Sequence, residues 1–346
     1  IYSVVGLGFS FASYNKKLPF RVSSLLGPKI SNNKPLAITI DIIAILTTVL
    51  GVTTSLGLGT IQISSGLEYV FSIPESFSNQ IIIIALITLI GLTSVCLGLD
   101  KGIKRLSQLN MVLASSLMGF IFVFGPTVFI LNALIQNFGS YVNTLIESAT
   151  WTEVYSSSSW QDGWTLFFYT WWFAWAPFVG LFIARISKGR TIKEFMVGVM
   201  LAPTATIIIW ISIFGSTAFH IELFGQGGIT EAVNENIATA LFSLLEHFPI
   251  SLVSIFFVVI AGVIFFVTSS DSGSLIIDFI TSGGKEKNDV WLRIFWALTE
   301  GIVAAALVYG GGLVALQTGS LVTGLPVCIL MLIMCYSIIK ALRKYQ

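Results

Sequence analysis

The sequence has little charge. Asp, Glu, Lys and Arg make up 10% of its 346 residues, where a soluble domain carries roughly a quarter. That shortage excludes a soluble domain, a disordered chain and a basic nucleic-acid binder. Cysteine is scarce too, and Cys96, Cys328 and Cys335 all fall inside apolar runs. They read as small membrane-buried side chains rather than disulfides or metal ligands. The two histidines, His220 and His247, have no carboxylates at ligand spacing, so no bound metal cofactor is expected. Period-two alternation is missing from runs such as 81–99, which excludes the ten-residue strands of an outer-membrane barrel. The first apolar run, 1–14, has no charged leader or cleavage pattern and falls short of the ~20 residues that span a bilayer. It reads as a helix cut off from its beginning, so the chain is expected to be N-terminally truncated.

What is present in abundance is apolar: 55% of the residues are hydrophobic and the mean hydropathy is +0.89. Long apolar runs broken by short polar patches predict an all-α polytopic membrane protein. After the first run the breaks predict full segments over 39–66, 79–99, 107–136, 163–186, 194–221, 249–271, 290–309 and 313–339. Stretches 138–150 and 236–248 read as short amphipathic helices outside the membrane. All 18 basic residues fall on alternate loops or beside them, among them Lys16, Lys101, Arg185, Lys285, Lys287 and Lys344. The opposite loops carry acids and no Lys or Arg. This positive-inside pattern predicts a cytoplasmic C-terminus.

The densest chemistry lies in 160–190. Trp164, Phe168, Trp171, Trp172 and Trp175 fall within a ~100° arc of one helix. Trp151, Trp160 and Trp164 fit an interfacial belt. Trp171 and Trp175 lie two and three turns deeper, too deep for one. Stacked indoles facing a cavity suit a quaternary ammonium, which offers no hydrogen-bond donors and is best held by cation–π contact. Pro177 removes the hydrogen bond to the Phe173 carbonyl, which predicts a local break at substrate depth.

Phe265, Thr268 and Ser269 stand at i, i+3 and i+4, so one carbonyl and two hydroxyls share a face. Uncharged oxygens suit Na⁺. The commoner fate of such hydroxyls is to bond back to the i−4 carbonyl or to join helices. Glu300 lies inside an apolar segment, where a carboxylate is costly and usually paired or functional. Asp271 and Arg185 both fall at expected cytoplasmic helix ends and are paired here as a gate or brace. Gly57-Leu58-Gly59 lies in an apolar run and reads as close helix packing, not a phosphate loop.

The run from Trp164 to Phe195 closely resembles the signature of the betaine/choline/carnitine transporter (BCCT) family. So do Ser55-Leu-Gly-Leu-Gly with Gln62, Asn110, Gly125-Pro-Thr, Phe265–Ser274 and Phe295-Trp-Ala-Leu-Thr-Glu-Gly301. The resemblance implies a leucine-transporter-like inverted-repeat core, with this chain beginning in family helix 4. Residues 1–136 would be the remainder of the first repeat (family helices 4–7) and 137–162 an extracellular amphipathic connection. Residues 163–339 would be the second repeat (helices 8–12) and 340–346 a cytoplasmic tail. It implies that Trp171, Trp172, Trp175 and Tyr2 line the substrate site and that Phe182 narrows the path to the cytoplasm. Phe265 (carbonyl), Thr268 and Ser269 match one Na⁺ site. Thr48 and Phe178 match a second, with Val52 where another threonine is expected. For Glu300 the resemblance implies a structural pair over a proton relay.

The expected function is therefore secondary active transport, not catalysis. The cargo would be a quaternary-ammonium osmolyte, glycine betaine first, imported with Na⁺ as coupling ion by alternating access across the plasma membrane. A choline or carnitine transporter or exchanger without Na⁺ is the rival, and a membrane-bound quaternary-amine sensor is another. Lipid surrounds such a protein, and trimeric relatives imply a homotrimer.

Overall fold

The computed structural model describes residues 1–97, 103–156, 158–284 and 290–343. The expectations resting on Leu99, Lys101, Lys285, Lys287 and Lys344 lie outside these residues. Within them the chain forms helices and loops and no strand.

Helix α1 (Tyr2–Ser10) widens into a π-turn at Phe11–Asn15. A loop containing α2 (Pro28–Ser31) leads to α3 (Lys34–Phe71), which starts where Asn33 accepts from the Leu36 N–H and Pro35 sits in the first turn. Then follow α4 (Phe77–Leu97), α5 (Ile103–Phe124) and α6 (Thr127–Thr150). A π-helix over Gln161–Leu166 continues as α7 (Phe167–Ile186). A Thr191/Glu194 capping box opens α8 (Ile192–Phe224). Short α9 (Ile229–Glu235) and α10 (Ala240–Glu246) precede α11 (Ser251–Thr281) and α12 (Val290–Leu342). Among the described residues seven helices are long and apolar enough to cross a membrane. The chain is an all-α polytopic membrane protein.

The expected segments 290–309 and 313–339 are the two arms of α12. They meet at Gly311 and Gly312, where Gly312 has φ 55° and ψ −130°, backbone that favours glycine. Three expectations need correction. The segment 107–136 is not one span, because Pro126 has no N–H to give the Phe122 carbonyl. The Thr127 hydroxyl takes that carbonyl instead, at 2.7 Å, and starts a new helix. The amphipathic stretch 138–150 is accordingly the second half of α6, and the division placed between 136 and 137 falls inside that helix. Lastly, α11 runs on to Thr281, so Asp271 lies well within the helix and is buried, not at its end.

Two apolar cores form at opposite ends of the long helices. One gathers Leu56, Ile63, Phe242, Ile255, Val267 and Leu316. The other gathers Ile40, Ala44, Leu181, Ile276, Phe279 and Met331. Between them the same helices carry buried polar side chains: Thr47, Thr48, Thr53 and Thr54 on α3, Ser270, Asp271 and Ser274 on α11, Glu300 and Ser320 on α12. The sequence places hydroxyls and carboxylates where two apolar layers would otherwise merge. Such groups must find partners inside the protein, since lipid offers none. This polar layer is what the candidate site is built on.

Candidate substrate and ion site

The hydroxyls of the polar layer mostly join helices. Thr54 donates to the Leu316 carbonyl of α12 at 2.9 Å, Ser320 donates back to the Thr54 hydroxyl at 2.9 Å, and Thr47 reaches the Thr323 carbonyl at 3.1 Å. Glycines let these helices approach. A Cβ on Gly57 would strike the Leu316 side chain and one on Gly59 the Phe266 ring. Close packing, as expected from the sequence, accounts for this pair.

Glu300 has no exposed surface. Its carboxylate accepts from the hydroxyls of Ser270 (2.6 Å) and Ser274 (3.1 Å), which stand at i and i+4 on one face of α11. The α11–α12 contact is thus a carboxylate clasped by two hydroxyls. Glu300→Gln keeps shape and hydrogen-bonding capacity and should change the thermal midpoint little. Glu300→Ala should cost about 2–4 kcal/mol, by leaving a cavity and stripping both serines of a partner. Unfolding in detergent would compare the two.

Asp271 accepts from the Ser94 hydroxyl of α4 at 2.5 Å. Arg185 instead lays its guanidinium over the Phe279 ring, 4.8 Å from the centroid. The expected Arg185–Asp271 brace is therefore not formed in this structure. Phe279 is eight residues beyond Asp271, about 12 Å along α11. The ion pair nearby is Arg293–Asp278 at 3.1 Å.

The tryptophan face comes together as expected. α7 stays helical through Pro177, so the break expected there is limited to one missing hydrogen bond. Trp171 and Trp175 meet nearly perpendicular, with centroids 6.4 Å apart at 84°. Phe167 stacks on one face of Trp171 at 5.3 Å and 17°. Tyr2 of α1 stacks on Trp172 at 5.3 Å and 9°, so the four aromatics form two pairs, Trp171 with Trp175 and Trp172 with Tyr2. Trp175 also meets Phe178 edge-on at 5.7 Å. Phe182 lies two turns beyond Trp175 and is exposed. No basic side chain competes for these ring faces in the described cation–π contacts, which involve Phe11, Phe279, Tyr14 and Tyr336. Towards the start of α7, Trp151, Trp160, Trp164, Phe168 and Tyr169 line an open cavity of about 720 Å³.

On α11 the Thr268 hydroxyl lies 2.9 Å from the Phe265 carbonyl and donates to it. Ser269 follows, half-buried. The Thr48 hydroxyl is fully buried and bonds back to the Ala44 carbonyl at 2.8 Å. Both threonines thus adopt the back-bonded form that helix hydroxyls commonly take. A hydroxyl that donates still has lone pairs to offer a cation. Val52 packs on Gly273, where a Cβ would come within 2.8 Å of its methyl. Ser270, Ser274 and Ser94 carry the geometry described above, and the Gly51 carbonyl accepts from the indole N–H groups of Trp171 and Trp175, without having been assigned a role from the sequence. The i, i+4 spacing of Ser270 and Ser274 was the available signal for two of them. Gly51 offered none.

An all-α chain with many membrane-length helices, a buried polar layer and an unneutralised aromatic face is of the class that handles small solutes within a bilayer. The BCCT pattern (betaine/carnitine/choline family transporter) matches residues 1–346, and the chain belongs to that family. A glycine betaine transporter of Acinetobacter baylyi is 41% identical over 99% of this chain and 52% of its own length. A glycine betaine/proline/choline transporter of Vibrio parahaemolyticus is 40% identical over 99% of this chain and 62% of its own. An ectoine/hydroxyectoine transporter of Virgibacillus pantothenticus is 39% identical, over 99% and 69%. The chain therefore spans between about half and two thirds of the length of these relatives. The family and these relatives are described as transporters, not enzymes.

Proposed function

We propose that the protein is a secondary active transporter that imports a quaternary-ammonium osmolyte, glycine betaine first, by alternating access coupled to Na⁺. The observation that carries this reading is the aromatic set on α7: Trp171 against Trp175, and the adjacent Trp172 stacked on Tyr2 of α1. Aromatic faces without a competing cation suit a trimethylammonium group, which can neither donate nor accept a conventional hydrogen bond. Relatives named for glycine betaine support that cargo. The Phe265 carbonyl with Thr268 and Ser269 is the proposed Na⁺ site, and Thr48 with Phe178 the second. Loops rich in Lys and Arg face the cytoplasm in this reading, with the C-terminus, and the membrane is the plasma membrane. The assembly is a homotrimer.

Uptake of labelled glycine betaine by the full-length protein in proteoliposomes tests the reading. Replacing external Na⁺ by K⁺ should abolish accumulation. Thr268→Ala with Ser269→Ala should raise the Na⁺ concentration for half-maximal uptake on the order of ten-fold, the cost of losing oxygen partners of a charge. Undiminished uptake in K⁺ would reject Na⁺ coupling and favour an exchanger. Binding without accumulation in either salt would favour a sensor.

A further inference from the structure

Trp171 and Trp175 stand one turn apart on α7 and both turn towards α3. A buried indole N–H needs an acceptor, and helix carbonyls are usually screened by their own side chains. Both Nε1 atoms donate to the same oxygen, the Gly51 carbonyl, at 3.3 and 3.0 Å. The Ser55 hydroxyl reaches that oxygen as well, at 3.1 Å. The Ser55 N–H, four residues on in the same helix, already occupies one of the carbonyl's two lone pairs, so the two indoles and the Ser55 hydroxyl share what remains of this one oxygen. Gly51 is also bare where α7 presses closest. A Cβ there would lie 3.0 Å from the Ala174 Cβ and 3.0 Å from Cδ1 of Trp175. The missing side chain and the accessible carbonyl serve one contact.

We propose that Gly51 is the positioning residue of the aromatic site: its carbonyl fixes the rotation of the Trp171 and Trp175 rings and so presents their faces to the cation. Phe167 already covers one face of Trp171, so the ring's rotation decides where its other face points. An indole held in advance loses no further freedom when the ligand arrives, and affinity gains by that amount. The inference rests on the aromatic face being the quaternary-ammonium site.

The test replaces Trp171 or Trp175, singly and in the full-length protein, by 3-benzothienylalanine, in which sulfur stands for N–H and the ring is kept. Equilibrium binding of labelled glycine betaine should weaken about three- to ten-fold per lost hydrogen bond. The preference for trimethylglycine over dimethylglycine should shrink, while the thermal midpoint holds. A merely structural bond would move the midpoint and leave the preference alone. Gly51→Ala should shift the preference in the same direction, and the thienyl variants decide the matter if it fails to fold. Unchanged affinity and preference in both thienyl variants, with loss in Trp175→Ala, would overturn the proposal and leave the aromatic site standing. Unchanged affinity in Trp175→Ala would remove the site itself.

Discussion

Trp175→Ala is expected to raise the KM for glycine betaine uptake on the order of thirty-fold, the worth of about 2 kcal/mol from one desolvated cation–π contact. Two features put Trp175 ahead of its neighbours. It lies deepest of the three tryptophans along α7, and its N–H bond to Gly51 is the shorter of the two. Trp172 is 39% exposed and one of its faces is already stacked on Tyr2, so Trp172→Ala should cost less. Trp175→Phe keeps a ring but loses the N–H and part of the π surface, and should fall between wild type and alanine. Initial-rate uptake over a range of glycine betaine concentrations, with tryptophan quenching as an independent binding measure, checks the order. A fall in maximal rate at constant KM would mean that Trp175 acts in the conformational step and not in holding the cargo.

The tryptophan face was legible because 100° periodicity in one helix needs no knowledge of its neighbours. The partner of that face was not. Nothing in the spacing of α3 distinguishes Gly51 from the many glycines around it, and only the packing of α7 against α3 gives its carbonyl a role. Glu300 followed the same division. Its place in an apolar run announced a buried carboxylate, yet Ser270 and Ser274 come from another helix some thirty residues away. Helix ends were harder. Apolar residues on both sides of Gly125-Pro126 hid the break between α5 and α6, because hydropathy averages across a missing backbone donor. Polar residues in 268–274 suggested the end of α11 where the chain instead carries its buried polar layer. That misreading placed Asp271 beside Arg185. Composition reports what a membrane would accept on average, whereas a polar group paired inside the bundle is hidden from the lipid.

Gly324→Ala should destabilise the protein by about 2–4 kcal/mol, at the upper end of overpacking, because of what its new methyl group would meet. The second arm of α12 crosses α7 at this glycine, and a Cβ there would run into the carbonyl oxygen of Thr170. Backbone cannot rotate aside as a side chain can, so the two helices must part. Gly59→Ala meets only the Phe266 ring, a side chain able to shift, and should cost less. Gly91→Ala and Gly119→Ala face open space and should be neutral or slightly stabilising, through the better helix propensity of alanine. Thermal unfolding of the four variants in one detergent tests this ranking. Thr170 directly precedes Trp171, so parting α7 from α12 at this point also shifts the tryptophans against α3. Gly324→Ala should therefore weaken glycine betaine binding even at temperatures where the variant remains folded, which Gly59→Ala, whose methyl would meet Phe266 of α11, should not do. Equal loss of stability with unchanged binding would show that the α7–α12 crossing supports the fold without setting the position of the aromatic face.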